Sequence, residues 1–107
     1  MLFFVHAELT EQPAMPREQY LGMIASTWQT IKQLENSGKV VGGGAIVGRR
    51  AGVVIVDVDS HEELADLLNR LPLSAYLEWD VAPLIAADRA LDSAKWALQQ
   101  LSLAGTR

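Results

Sequence analysis

Alternating apolar and polar residues characterise the first and last of four segments that the sequence predicts to be β-strands. These two segments span residues 2–9 and 75–81, and alternation with a period of two is typical of a strand with one buried face. Between them, residues 40–47 predict a strand that contains three glycines, and residues 53–58 predict a strand of mostly β-branched residues. The β-branched run is typical of a central strand.

Helical spacing of apolar residues predicts three helices. The first spans residues 16–36 and ends before Gly38, which suits a helix C-terminus. The second runs to about residue 71 and begins at a capping box, with Ser60 as the N-cap and Glu63 as the third helical residue. The third spans residues 87–103 and carries an apolar stripe of leucine and alanine.

The order of these elements is β-α-β-β-α-β followed by an extra C-terminal helix. This order predicts an α+β protein with the ferredoxin-like fold, in which a four-stranded antiparallel sheet has two helices on one face. The other face of the sheet is then uncovered. Large exposed faces of this kind usually mark association surfaces, so we expect two sheets to pack face to face and enclose a cavity.

The strand alternation predicts which side chains line the uncovered face. Tyrosine, histidine and carboxylates can exchange protons or donate hydrogen bonds to a substrate, although on an open sheet they would simply be solvated. A shift of one residue in strand register would move all of them to the other face. The predicted set is Phe4, His6, Glu8, Tyr76, Glu78 and Asp80.

Composition narrows the function classes. The chain has 107 residues, a formal net charge of -4 and no cysteine, which argues against nucleic-acid binding and excludes disulfides, thiolate metal sites and thiol nucleophiles. The carboxylates between Asp57 and Glu63 lack the ligand order of a calcium loop, so no metal site is expected. The first residues lack a basic leader and no apolar run reaches membrane-spanning length. We therefore expect a soluble, cytoplasmic protein.

Four short segments carry a resemblance to a known family. They are MLFFV at the start, GKVV at 38–41, VDVDS at 56–60 and RLPLSAYLEWDV at 70–81. In order and spacing they resemble the muconolactone delta-isomerases of aromatic-acid breakdown, over a domain of residues 1–84. Residues 85–107 would be a C-terminal helical extension.

The resemblance implies a function and an assembly. Members of this family are homo-oligomers that associate through their sheets as dimeric α+β barrels. They move a double bond in an unsaturated lactone without metal or cofactor, which requires a general base and a group that stabilises an enolate-like intermediate. We therefore expect a small-molecule substrate and no cofactor.

The resemblance and the strand alternation together suggest roles for individual residues. His6 or a carboxylate of the last strand, such as Glu78, would move the proton, and Tyr76 or an arginine would steady the developing oxyanion. The glycine run at 42–44 would widen the cavity, because it removes side chains that relatives carry there. The predicted substrate-binding residues are Phe4, Glu8, Gly43, Arg49 and Asp80.

Two other functions fit the same fold. One is a non-catalytic small-molecule-binding or scaffold oligomer, and the other is a cofactor-free monooxygenase or cyclase. The fold alone does not choose among them.

Overall fold

The computed structural model describes residues 1–105 and has the predicted order of elements. A short 3₁₀ turn, Ser74–Tyr76, precedes the last strand. The elements are β1 (Leu2–Leu9), α1 (Arg17–Asn36), β2 (Val40–Ala45), β3 (Ala51–Asp57), α2 (His61–Asn69), β4 (Leu77–Leu84) and α3 (Ala87–Gly105).

The four strands form one antiparallel sheet in the order β2-β3-β1-β4. The ferredoxin-like α+β prediction is therefore confirmed, and β3 is an inner strand as its β-branched sequence indicates. The β2-β3 register shifts by one residue between Val40 and Gly42. Val41 is the additional residue of this β-bulge and is exposed.

The hydrophobic core lies between the sheet and helices α1 and α2. Val5 and Val56 are almost fully buried and come from neighbouring strands, and Leu64 and Leu68 of α2 pack in the same cluster. Within β1, Phe3, Val5 and Leu9 are buried, whereas the residues between them are only partly buried. The alternation of the first strand thus assigns its two faces correctly.

The start of the last strand differs from the prediction. We expected the strand to begin at Ala75, but residues 74–76 form the 3₁₀ turn and β4 begins at Leu77. The strand also continues through Pro83 to Leu84, beyond its predicted end at residue 81. Proline has no N–H to donate, and β4 tolerates it because β4 is an edge strand with only β1 as a neighbour.

The start of α2 is fixed by the predicted capping box. Ser60 Oγ accepts a hydrogen bond from the Glu63 N–H at 3.0 Å, and Glu63 Oε2 accepts one from the Asp59 N–H at 3.1 Å. The other Glu63 oxygen accepts from Lys39 Nζ at 2.5 Å. The hydrogen bonds from Lys39 and Asp59 lower the pKa of the Glu63 carboxyl below its ordinary value. The bond from Lys39 has the larger effect.

The Glu63→Gln variant is expected to lose part of its stability at neutral pH and to depend less on pH in acid. A carboxyl with a lowered pKa in the folded state stabilises the fold above its unfolded pKa. This contribution is lost as the pH falls below the ordinary range of a glutamate carboxyl and through the lower folded pKa. Urea unfolding at several pH values measures the slope. Glu62→Gln, in the same turn but exposed, is the control, and equal slopes for the two variants would contradict the assignment.

Helix α3 extends away from the rest of the molecule. The molecule measures 71 × 27 × 22 Å along its principal axes, and the side chains of residues 87–104 are all exposed. No helix within residues 1–105 combines the length and hydropathy needed to cross a membrane. The third predicted helix therefore exists, but it leaves its apolar stripe without a partner in the described part of the chain.

Candidate functional site

The uncovered face of the sheet carries a row of ionisable side chains. Directly opposed residues of an antiparallel pair point to the same face. His6 lies opposite Asp80 on β4, and Glu8 lies opposite Glu78. Because buried Val5 points toward the helices, these four residues point to the other side, as the strand alternation predicts.

His6 and Glu8 are the best-ordered part of this row. Nε2 of His6 lies 3.7 Å from Oε1 of Glu8, and both side chains are about three-quarters buried, with 23% and 28% of their surface exposed. The Arg49 guanidinium donates a hydrogen bond to the same Glu8 oxygen from the β2-β3 hairpin. Arg49 thus compensates the charge of Glu8, which lies beside the imidazole.

The remaining carboxylates of the face are more open to solvent. Glu78 and Asp80 are both exposed and have no ion pair among the described residues. Glu78 also faces the like charge of Glu8, which disfavours the pair unless Arg49 is present. Asp80 is the nearest opposed carboxylate to His6 in the strand register. These groups are available to a ligand or to a second sheet.

Tyr76 does not belong to the strand row. It lies in the 3₁₀ turn Ser74–Tyr76, one residue before β4 begins, and its side chain is 43% exposed. Its expected placement in line with Glu78 was wrong, because the chain turns at Ser74 before it enters the strand. Its suggested role as an oxyanion donor stays a prediction.

Apolar groups flank the ionisable row. Phe4 is partly buried and lies opposite Ile55 on one side and Ala82 on the other. His6 lies opposite Val53 of β3. The face therefore offers a flat apolar platform beside the imidazole, which suits the ring of a small organic substrate.

The three glycines of β2 have different positions. Gly42 and Gly44 pair with Ile55 and Val53 and share the uncovered face, and a Cβ on either would meet no atom within 4 Å. Gly43 pairs with Val54, whose side chain lies on the helix side. Gly42 and Gly44 are therefore the glycines that leave room above the face, and Gly43 serves the backbone.

An apolar chamber lies on the opposite side of the sheet, between the strands and α1. Its volume is about 220 Å³, and neither a carboxylate nor a histidine from the described residues lines it. Its polar or charged side chains include Thr27, Arg49 and Arg50, and Trp28 forms part of its wall. The Thr27 hydroxyl is already engaged, since it donates to the Met23 carbonyl at 2.8 Å. The chamber can hold an apolar group, but it offers no general base.

Sequence reasoning missed this chamber. A small residue at Gly52 faces Trp28 there, and a Cβ at Gly52 would lie 2.8 Å from the indole ring. The available signal in the sequence was the small residue Gly52 on β3, which leaves room for Trp28 of α1. Within residues 1–105, no group of three or more histidine, aspartate or glutamate side chains is arranged to hold a metal ion.

Comparison with known proteins identifies the family. The model of the muconolactone delta-isomerase family matches residues 1–88. The muconolactone delta-isomerase of Cupriavidus pinatubonensis is 36% identical over 84 residues, which cover 78% of this chain and 91% of that protein. Muconolactone delta-isomerase 1 of Acinetobacter lwoffii is 34% identical over 84 residues, with coverage of 78% and 88%.

Solved structures agree with this assignment. The crystal structure of a muconolactone isomerase superposes with a TM-score of 0.73 at 28% identity, covering 80% of this chain and 90% of that one. A 5-chloro-2-hydroxyhydroquinone dehydrochlorinase of Burkholderia phenoliruptrix, in complex with 2,5-dihydroxybenzoquinone, has a TM-score of 0.63 at 14% identity, covering 83% and 98%. This second likeness shows a shared fold alone. The family model, the two relatives and the isomerase structure together show that this chain belongs to the muconolactone delta-isomerase family.

Proposed function

We propose that the protein catalyses a cofactor-free proton shift in a small unsaturated lactone or a related carbonyl compound. The observation that carries this proposal is the position of His6, which lies beside Glu8 and opposite Asp80 on one face of the sheet. The relatives are named for isomerisation of muconolactone. We also propose that the protein acts in the breakdown of aromatic compounds and in the cytoplasm.

The reaction needs one group that takes a proton from carbon and returns it to another carbon. His6 removes the proton next to the conjugated system, and the electron pair of the broken C–H bond moves into the lactone carbonyl to form an enolate. The protonated imidazole then returns the proton to a different ring carbon, so that the double bond has moved and no atom is gained or lost. An imidazole suits both steps because it exchanges protons near neutral pH.

The neighbouring groups have supporting roles. Glu8 lies against the imidazole and helps to position it. Arg49 forms an ion pair with Glu8 of this cluster, and its guanidinium can balance the enolate or a carboxylate of the substrate. Glu78 and Asp80 line the approach, with Tyr76 in the turn before their strand, and Phe4 completes the proposed binding set.

The site becomes enclosed when two subunits pack sheet against sheet. In one subunit the face is open to water, and an enclosed site would strengthen every electrostatic interaction in it. The apolar side chains beside His6, namely Phe4, Val53 and Ile55, support such packing because each is only partly buried. The proposed homo-oligomer therefore contains at least two copies of the chain, packed sheet against sheet.

An isomerase assay tests the proposal. The purified protein is expected to convert muconolactone to the isomer with a shifted ring double bond, which proton NMR detects directly. In deuterium oxide, the product is expected to carry deuterium at the newly protonated carbon whenever the imidazole exchanges its proton with solvent. Unchanged muconolactone spectra at high protein concentration would contradict the proposal for this substrate. A panel of larger unsaturated lactones, which the glycines of β2 have room for, then tests the substrate class.

A further inference from the structure

Helix α3 carries an apolar face that the rest of the described chain leaves uncovered. The helix begins at Ala87, whereas the family match ends at residue 88, so almost all of α3 lies outside the family domain. Leu91 is 52% exposed, Leu98 65% and Leu101 69%. An exposed leucine stripe of this length favours association or aggregation in water unless another surface covers it.

The spacing of this face is that of a coiled coil. Residues 87, 91, 94, 98 and 101 are apolar and follow one another at intervals of four and three, which is the heptad pattern of a helix that packs against another helix. Leucine and alanine alternate at the first four of these positions. The small alanines let a second helix approach closely, provided that it places its own leucines opposite them.

We infer that α3 pairs with α3 of a second copy of this chain in an antiparallel helical dimer. When the two helices run antiparallel, Leu91 can lie opposite Ala94 of the second copy, and Leu98 opposite Ala87 of the second copy. Each of these layers then joins one large and one small side chain, and Leu101 lies beyond them. A parallel pair would instead stack leucine on leucine and alanine on alanine, which fills the interface unevenly.

Charge selects the same arrangement. Asp88 and Lys95 lie along one edge of the apolar face, and neither has an ion-pair partner within residues 1–105. In the antiparallel register, Asp88 lies at the level of Lys95 of the second copy, and the two-fold axis repeats this contact. The opposite edge brings Ala90 next to Ala97 of the second copy. A shift by one heptad would place Lys95 opposite itself, which is unfavourable.

This inference is independent of the isomerase proposal, because α3 lies apart from the sheet face that holds His6. The pairing of helices would join two sheet-paired units into a larger assembly, or two single chains if the sheets do not pair. The mass of the particle therefore distinguishes the two contacts. Without the α3 contact, only the smaller particle is expected to form, either a sheet-paired unit or a single chain. Each subunit is expected to keep its catalytic activity.

Sedimentation equilibrium of the full chain and its variants tests the inference. Leu98→Glu is expected to break the α3 contact and so to reduce the measured mass to that of the smaller particle. Asp88→Lys and Lys95→Asp each place like charges together twice per dimer, so each is expected to weaken this association about tenfold. The double variant exchanges the two charges and is expected to restore association to within about threefold of the original protein.

Asp92→Lys is the matched control. It changes the net charge as Asp88→Lys does, but residue 92 lies on the side of the helix away from the apolar face, so association is expected to be unchanged. Circular dichroism confirms that each variant stays helical. An unchanged mass for Leu98→Glu would overturn the inference. A reduced mass for Leu98→Glu without rescue by the double charge exchange would also overturn it, since another surface would then cover α3.

Discussion

Replacing His6 with glutamine is expected to lower the kcat of lactone isomerisation by at least about 100-fold, the usual contribution of a general acid-base residue. Glutamine keeps a polar side chain of similar length beside Glu8, but it cannot accept and return a proton. The KM is expected to change much less, because the apolar platform of Phe4 and the Arg49 guanidinium remain in place. Steady-state kinetics on muconolactone or the best lactone found separates the two constants.

The second histidine of the chain supplies the control. His61 lies in the first turn of α2, where its ring contacts Phe3 edge-on at a centroid distance of 5.5 Å. His61→Gln is expected to leave kcat unchanged and to cost a small amount of stability from the lost ring contact. A kcat of His6→Gln within about threefold of the original protein would exclude His6 as the proton carrier.

Replacing Gly43 with alanine is expected to destabilise the fold by about 3–5 kcal/mol, a large share of the stability of a small domain. The φ of Gly43 is +125°, a region that other residues rarely adopt. A Cβ there would lie 2.1 Å from the Val53 carbonyl oxygen and 2.7 Å from the Val54 Cα. These are backbone atoms of the neighbouring strand, so the contact cannot be relieved by a rotamer change, and the β2-β3 ladder must open.

Gly44→Ala provides the comparison within the same glycine run. A Cβ at Gly44 meets nothing within 4 Å and its φ is not positive, so a change of less than about 1 kcal/mol is expected. Urea unfolding followed by tryptophan fluorescence measures both variants. Equal midpoints for the two would show that β2 adapts to a side chain at Gly43 and that its backbone is not constrained as described.

The sequence predicts the sheet faces well because the strand period is simple. Phe3, Val5 and Leu9 are buried as expected, and His6 and Glu8 point to the other side. The alternation survives in β4 as well, although that strand starts later than expected. Ser74 and Tyr76 belong to a turn after Pro72, and alternation cannot distinguish the end of such a turn from the first residues of a strand.

Contacts between distant segments lie beyond the reach of such patterns. The ion pair of Arg49 with Glu8 depends on how the β2-β3 hairpin folds over the end of β1, and no local spacing encodes this. The chamber beside Trp28 depends on gaps between α1 and all four strands. The size of such a gap depends on how the side chains of the whole domain pack. The chamber therefore cannot be predicted from a local sequence pattern.

A crystal structure of the protein with an unreactive lactone analogue tests most directly whether the uncovered sheet face is the site of proton transfer. The expected result is a ligand ring against Phe4, with its acidic carbon within about 3.5 Å of His6 Nε2 and a second subunit closing the site. A ligand bound instead in the chamber beside Trp28, on the helix side of the sheet and away from His6, would contradict the proposal.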